Sequence, residues 1–85
     1  MTSKEELDKL KSDVIHLLGV RIQALREENG MSQVDLAGRM IGKFDTTNIS
    51  RIESGRTNPT FFTLFRIAEA LEISVSNLMD FKYSK

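Results

Sequence analysis

Between Met31 and Gly55 the chain reads MSQVDLAGRMIGKFDTTNISRIESG, and two short helices fit inside that stretch. Ser32 has Asp35 three residues on, the spacing at which a capping side chain and an acidic residue satisfy each other's backbone N–H. Leu36, Ala37 and Met40 then share one face, so a helix is expected from the Ser32 cap to about Ile41. Gly42-Lys43-Phe44 breaks it. Asp45 is a second N-cap, and the helix it opens ends at Gly55. Ile49 and Ile52 are its inward positions, which leaves Thr46, Thr47, Asn48 and Arg51 facing out.

Working outward, the preceding segment predicts a helix from Ser3 or Lys4 to Asn29. Ser3 and Glu6 have capping-box spacing, and Leu7, Leu10, Val14 and Leu17 repeat at heptad spacing before Leu18, Ile22 and Leu25 continue the stripe. Gly19 interrupts it, as a kink, a break between two helices or a tolerated glycine. Asn29-Gly30 is a stop. On the other side Arg56-Thr57-Asn58-Pro59 is a turn. Thr60 caps a fourth helix to about Leu71, whose apolar residues Phe61, Leu64, Phe65, Ile67, Ala68 and Leu71 supply core. Phe62 is expected there too, with one of the three phenylalanines left for a subunit contact. Ser74 caps a short fifth helix from Val75 to about Met79, and Phe81 and Tyr83 sit in a polar tail. The expected fold class is all-α, with five helices.

Eighty-five residues are expected to form one domain with a working but modest core. There is no cysteine, so neither a disulfide framework nor a thiolate metal site can form. No apolar run approaches the ~20 residues needed to cross a bilayer, and Met1–Glu6 does not read as a signal peptide. A cytoplasmic location is the expectation. The lone histidine, His16, reads as a packed or surface side chain. With no metal-ligand cluster and no phosphate-cradling glycine loop, an enzyme, a metal and a cofactor are not expected. Net charge is zero, from 12 basic and 12 acidic residues, where a basic footprint favours nucleic acid. The distribution softens this: Met31–Arg66 holds five bases against three acids, enough for a few phosphates.

Two short helices joined by a turn make a unit that reads DNA, the second helix presenting side chains to base edges in the major groove. Asn48 suits adenine, Arg51 suits guanine, and Thr46 and Thr47 offer hydroxyls and methyls. Ser32 and Gln33, opening the first of the two helices, suit phosphate contact.

The segments Met31-Ser32-Gln33-Val34-Asp35-Leu36-Ala37 and Asn48-Ile49-Ser50-Arg51-Ile52-Glu53-Ser54-Gly55-Arg56-Thr57-Asn58-Pro59-Thr60 resemble the Cro/phage-repressor (XRE-like) helix-turn-helix regulators. Leu64–Leu71, Ser74–Leu78 and Arg21–Arg26 extend the resemblance over about Gly19 to Met79. It implies a five-helix lambda-repressor-like domain over 19–80, with an N-terminal helical extension (1–18) and a C-terminal tail (81–85). It implies a sequence-specific regulator, most simply a repressor, binding a pseudo-palindromic site on double-stranded DNA as a homodimer. It also implies a backbone-contacting set: Ser32, Gln33, Ser50, the Gly55 N–H, Arg56, Asn58 and Thr60. Arg26 would pair with Glu53 as a structural tie. One departure stands out. Ala37 and Ile49 lie two residues further apart than the family pattern has it, which lengthens the joint near Ile41–Asp45 and makes Lys43 at its tip a candidate phosphate contact. Arg66 is read as a solvated residue or a peripheral phosphate contact. Family habit and the heptad seam nominate Leu7, Leu10, Val14, Leu17, Leu78, Met79, Phe81 and Tyr83 for a dimer interface. The rival readings are an antitoxin, with the N-terminal arm gripping a toxin, and a protein-interaction module that has lost DNA binding.

Overall fold

The computed structural model describes residues 3–84, so the outermost ends of the proposed extension (1–2) and tail (85) lie outside it. Among the described residues there are five α-helices and no strand: α1 (Lys4–Glu28), α2 (Gln33–Arg39), α3 (Thr46–Glu53), α4 (Phe61–Ala70) and α5 (Val75–Leu78).

Every helix begins where a short polar side chain accepts a first-turn N–H, removing one of the donors a helix start leaves unpaired. Ser3 accepts from Glu6, Ser32 from Asp35, Asp45 from Thr47, Thr60 from Thr63 and Ser74 from Asn77. The Ser3 and Ser32 caps are reciprocal boxes. Three helices close with the paired backbone bonds of a Schellman motif. In α3 Gly55 N–H donates to Ile52 O and Arg56 N–H to Arg51 O. In α4 the left-handed position falls on a non-glycine residue, Glu72, at φ 59°.

Each helix contributes one side chain that is wholly or almost wholly removed from solvent: Ile22, Leu36, Ile49, Ile67 and Leu78. Burial of Leu78 explains how a four-residue helix persists, since so short a segment has no helical stability of its own. Arg21 ties α1 to α5, donating to Asn77 O at 2.9 Å and to its Oδ1 at 3.1 Å.

Twenty-five residues make α1 about 37 Å long, and the molecule measures 43 × 22 × 19 Å. Its N-terminal turns therefore project past the body: Leu7 and Leu10 are exposed, while Val14 and Leu17 are half-buried. Gly19 neither kinks nor breaks the helix. It is buried where α1 crosses the end of α3, and a Cβ there would lie 2.5 Å from the carbonyl oxygens of both Ile52 and Glu53. The glycine is a close-approach residue.

Three expectations change. Leu78, nominated for the dimer interface, has 0 % exposure and is core. The helix of Ser32 stops at Arg39, not Ile41, whose side chain is exposed. Phe61, Phe62 and Phe65 are not core: they are 69 %, 68 % and 47 % exposed. On α4 the inward stripe is Leu64, Ile67, Ala68 and Leu71, at the i, i+3, i+4, i+7 spacing of a single helix face. The phenylalanines fall outside it. Of the other interface candidates, Met79 and Tyr83 are exposed, and Phe81 is half-buried against the core.

Candidate nucleic-acid interface

The recognition candidate α3 is anchored at its C-terminal end by one buried carboxylate. Arg26 Nε donates to Glu53 Oε2 at 2.7 Å and Nη2 to Oε1 at 3.0 Å, while Nη1 reaches Met31 O at 2.7 Å. Both residues are buried. Hydrogen bonding to Glu53 holds the Arg26 pKa above its ordinary value. A third partner was invisible in the sequence pattern: the half-buried Gln33 side-chain amide donates to Glu53 Oε1 at 3.0 Å. One residue of α3 thus accepts from α1 and α2 together, and a planar bidentate pair fixes orientation as well as distance.

With that end held, α3 presents Thr47, Asn48 and Arg51 to solvent, and Thr46 is half-buried. Asn48 and Arg51 share the wall of a cleft of about 270 Å³ with Asn58 and Thr60 from the loop that follows α3. Two residues read as base contacts and two read as backbone contacts therefore face one open space. Phe44, Ile52, Thr57, Pro59 and Thr63 complete its lining; the sequence had nominated none of these as a DNA contact.

Arg56 and Lys43 are exposed, and Ser50 is half-buried. Ser32 and Thr60 use their hydroxyls as helix caps. Gly55 N–H, nominated for a phosphate, is already engaged with Ile52 O at 3.1 Å. Asp35 completes the Ser32 cap, and the Ser32 backbone N–H, followed by its hydroxyl, holds the Asp35 carboxyl below its usual 3.8. Arg66, read as solvated or peripheral, instead turns back onto the α2–α3 joint, with Nε 2.9 Å and Nη2 2.7 Å from Ile41 O. No group of three or more histidine, cysteine or acidic side chains is placed to hold a metal among the described residues. None of the described helices is long and apolar enough to cross a membrane.

A family model described as helix-turn-helix matches residues 22–78. The chain is 37 % identical over 62 residues to the uncharacterized HTH-type transcriptional regulator y4dJ of Sinorhizobium fredii, covering 73 % of this chain and 78 % of that protein. It is 35 % identical over 60 residues to the HTH-type transcriptional regulator DdrOP3 of Deinococcus deserti, covering 71 % of this chain and 45 % of the relative. Among solved structures, the restriction-modification controller protein C.AhdI of Aeromonas hydrophila superposes with a TM-score of 0.69 at 30 % identity, over 75 % of this chain and 94 % of that one. The hypothetical transcription factor NHTF of Neisseria gives 0.72 at 26 % identity, over 81 % and 77 %. This is a family of regulators and not of enzymes. The chain belongs to the Cro/C1-type (XRE-like) helix-turn-helix family of DNA-binding transcriptional regulators.

Proposed function

We propose that the chain is a sequence-specific repressor that reads double-stranded DNA with the outward face of α3. The observation that carries this reading is the shared cleft: Asn48 and Arg51 open onto the same space as Asn58 and Thr60. In that arrangement the loop grips phosphate while the helix reads bases, which is the division between positioning and specifying contacts. Thr46, Thr47, Asn48 and Arg51 are assigned to base edges. Ser32, Gln33, Lys43, Ser50, Arg56, Asn58 and Thr60 are assigned to the backbone, with Gln33 supporting α3 through Glu53 at the same time.

The protein acts as a homodimer, placing two α3 helices in successive major grooves ~34–36 Å apart. The outer side of α4 supports this better than the N-terminal seam does. Phe61, Phe62, Phe65 and Ile41 stand exposed together. If a phenylalanine carries roughly 200 Å² of surface, the four display about 500 Å² of apolar area. A standard interface takes ~800 Å² per partner, about two-thirds of it apolar at its core, so the patch is of the right size.

Selection of bound sequences from a random duplex pool, followed by gel-shift titration, tests the reading. Arg51→Ala should lose ~1–3 kcal/mol of discrimination at one base pair, while Arg56→Ala should weaken all sequences alike and lower the salt slope by about one. Equal effects of both variants on every sequence would overturn the assignment. Sedimentation tests the dimer: Phe61→Ser with Phe65→Ser should give a monomer with an unchanged helical spectrum.

A further inference from the structure

The joint between α2 and α3 is the least self-supporting part of the reading unit. Residues 40–45 lie outside any helix, and Ile41, Gly42 and Lys43 are exposed. Among the described residues, none of the backbone–backbone hydrogen bonds involves residues 41–44. Met40 is buried at the start of the segment and Phe44 packs against the core, but the backbone between them has neither burial nor internal bonding to offset its conformational entropy. Yet this segment delivers Asp45, the cap of α3, and with it the turn that carries Thr46, Thr47 and Asn48.

One side chain from outside the unit supplies what is missing. Arg66, on α4, donates from Nε and Nη2 to Ile41 O at 2.9 and 2.7 Å, and from Nη2 to Lys43 O at 3.3 Å. Its guanidinium carbon also lies 5.1 Å from the centroid of the Phe44 ring, within cation–π range. Three of the four residues 41–44 are thus held by one planar group. The fourth, Gly42, has φ +79°, and a Cβ on it would lie 3.2 Å from Arg66 Nη2. Phe44 in turn lines the cleft beside Asn48 and Arg51. A rigid fork of donors suits this task, where a single ammonium cannot reach both carbonyls with the same geometry.

We propose that Arg66 is a positioning residue for DNA reading: it locks the α2–α3 joint, and so sets the pose of the first turn of α3 and of Lys43 against the duplex. The role rests on the DNA-reading function above. It differs from a phosphate contact, because the guanidinium is turned onto the protein's own carbonyls. It also differs from a core contribution, because the joint it holds is exposed.

The test uses the full chain with Arg66→Met, which keeps the stem and removes the donors, and Arg66→Lys, which keeps the charge. Melting temperature, affinity for the selected operator, affinity for a random duplex and salt slope are measured for each. Arg66→Met should bind the operator about ten-fold more weakly and the random duplex within about two-fold of wild type, with the salt slope unchanged. Arg66→Lys should not rescue it. Backbone NMR order parameters of Gly42–Phe44 should fall in both variants without DNA. An equal loss on both duplexes with a shallower salt slope would make Arg66 a phosphate contact and overturn the proposal. So would unchanged operator affinity, or a loss of affinity fully matched by a loss of melting temperature. If the wild type binds no duplex, the DNA reading itself fails, and the order parameters alone still report whether Arg66 holds the joint.

Discussion

Replacing Gly19 by alanine reverses the usual sign of that substitution. In a helix interior alanine is favoured over glycine by about 1 kcal/mol. At Gly19 the added methyl group would sit 2.5 Å from Ile52 O and Glu53 O and 2.9 Å from Glu53 C, where ordinary contact begins at 3.4 Å. The obstacle is main chain on both sides, so no rotamer change relieves it; α1 and α3 must separate by nearly an ångström. Overpacking of this kind costs typically ~1–3 kcal/mol and occasionally more, and the rigidity of the neighbours places this case at the upper end. After the helix-propensity gain, a net loss of about 1–2 kcal/mol remains. For a domain of this size that is a fall in melting temperature of roughly 5–15 °C.

Gly38 supplies the internal control. It lies in α2, exposed, with nothing within 4 Å of its Cβ position. Gly38→Ala should gain about 0.5–1 kcal/mol through the unfolded chain and the helix propensity. Thermal and urea unfolding followed by circular dichroism measure both variants, with the urea slope checking that each transition remains two-state. The reasoning is refuted if Gly19→Ala is as stable as wild type, or if the two substitutions move stability in the same direction.

Three other outcomes follow from single contacts. Glu53→Gln leaves the Arg26 guanidinium buried without its counter-charge and should cost ~3–5 kcal/mol, read as a urea midpoint shift; Arg26→Met with Glu53→Leu should lose less than either single change, and a larger loss in the double variant would contradict the account. Glu72→Gly should raise stability by about 0.5–1 kcal/mol, because the residue sits in the left-handed region where glycine pays no steric penalty; a lower melting temperature would show that the Glu72 side chain matters more than its backbone. The Asp35 carboxyl is lowered from 3.8 by folding, so its contribution is complete above that value and is lost as pH falls through the folded pKa. Asp35→Asn should therefore lose less stability than wild type between about pH 5 and pH 2, and identical acid limbs for the two proteins would remove Asp35 from the explanation.

Helix starts were the most legible feature of the chain, because a cap is a local device. Ser3, Ser32, Asp45, Thr60 and Ser74 each need only a neighbour two or three residues away, and all five are caps in the fold. The inward Ile49 and Ile52 were readable for the same reason, since period alone decides them. Tertiary geometry was not. Gly19 looked like a possible break because the sequence does not reveal that α3 passes beneath it. Phe61, Phe62 and Phe65 looked like core because hydropathy counts apolar residues without asking how many one face of a ten-residue helix can bury. Gln33 was read only as a candidate phosphate contact, because its bond to Glu53 spans twenty positions and leaves no local trace. Arg66 was misread for a related reason: the carbonyls it serves lie 23 and 25 residues away, and backbone acceptors carry no side-chain signature.

These non-local contacts converge on one helix. The C-terminal end of α3 is held from three directions: by Arg26, by Gln33 and by the Gly19 backbone packed on its last carbonyls. Ile49 and Ile52 bury its inner face. Its N-terminal end has no comparable polar anchor on the helix itself and depends on a joint that Arg66 pins from α4. Base discrimination worth ~1–3 kcal/mol per pair requires side chains placed within a fraction of an ångström before DNA arrives, because ordering them on binding would consume much of that energy. The two ends therefore fail differently. Loosening the Glu53 end should destabilise the whole domain, since the charges there are buried. On the proposed contacts, loosening the Arg66 end should leave a folded domain that still touches phosphate through Arg56 and Asn58 but reads bases poorly. If those contacts hold, affinity and specificity should be separable by position along a single eight-residue helix.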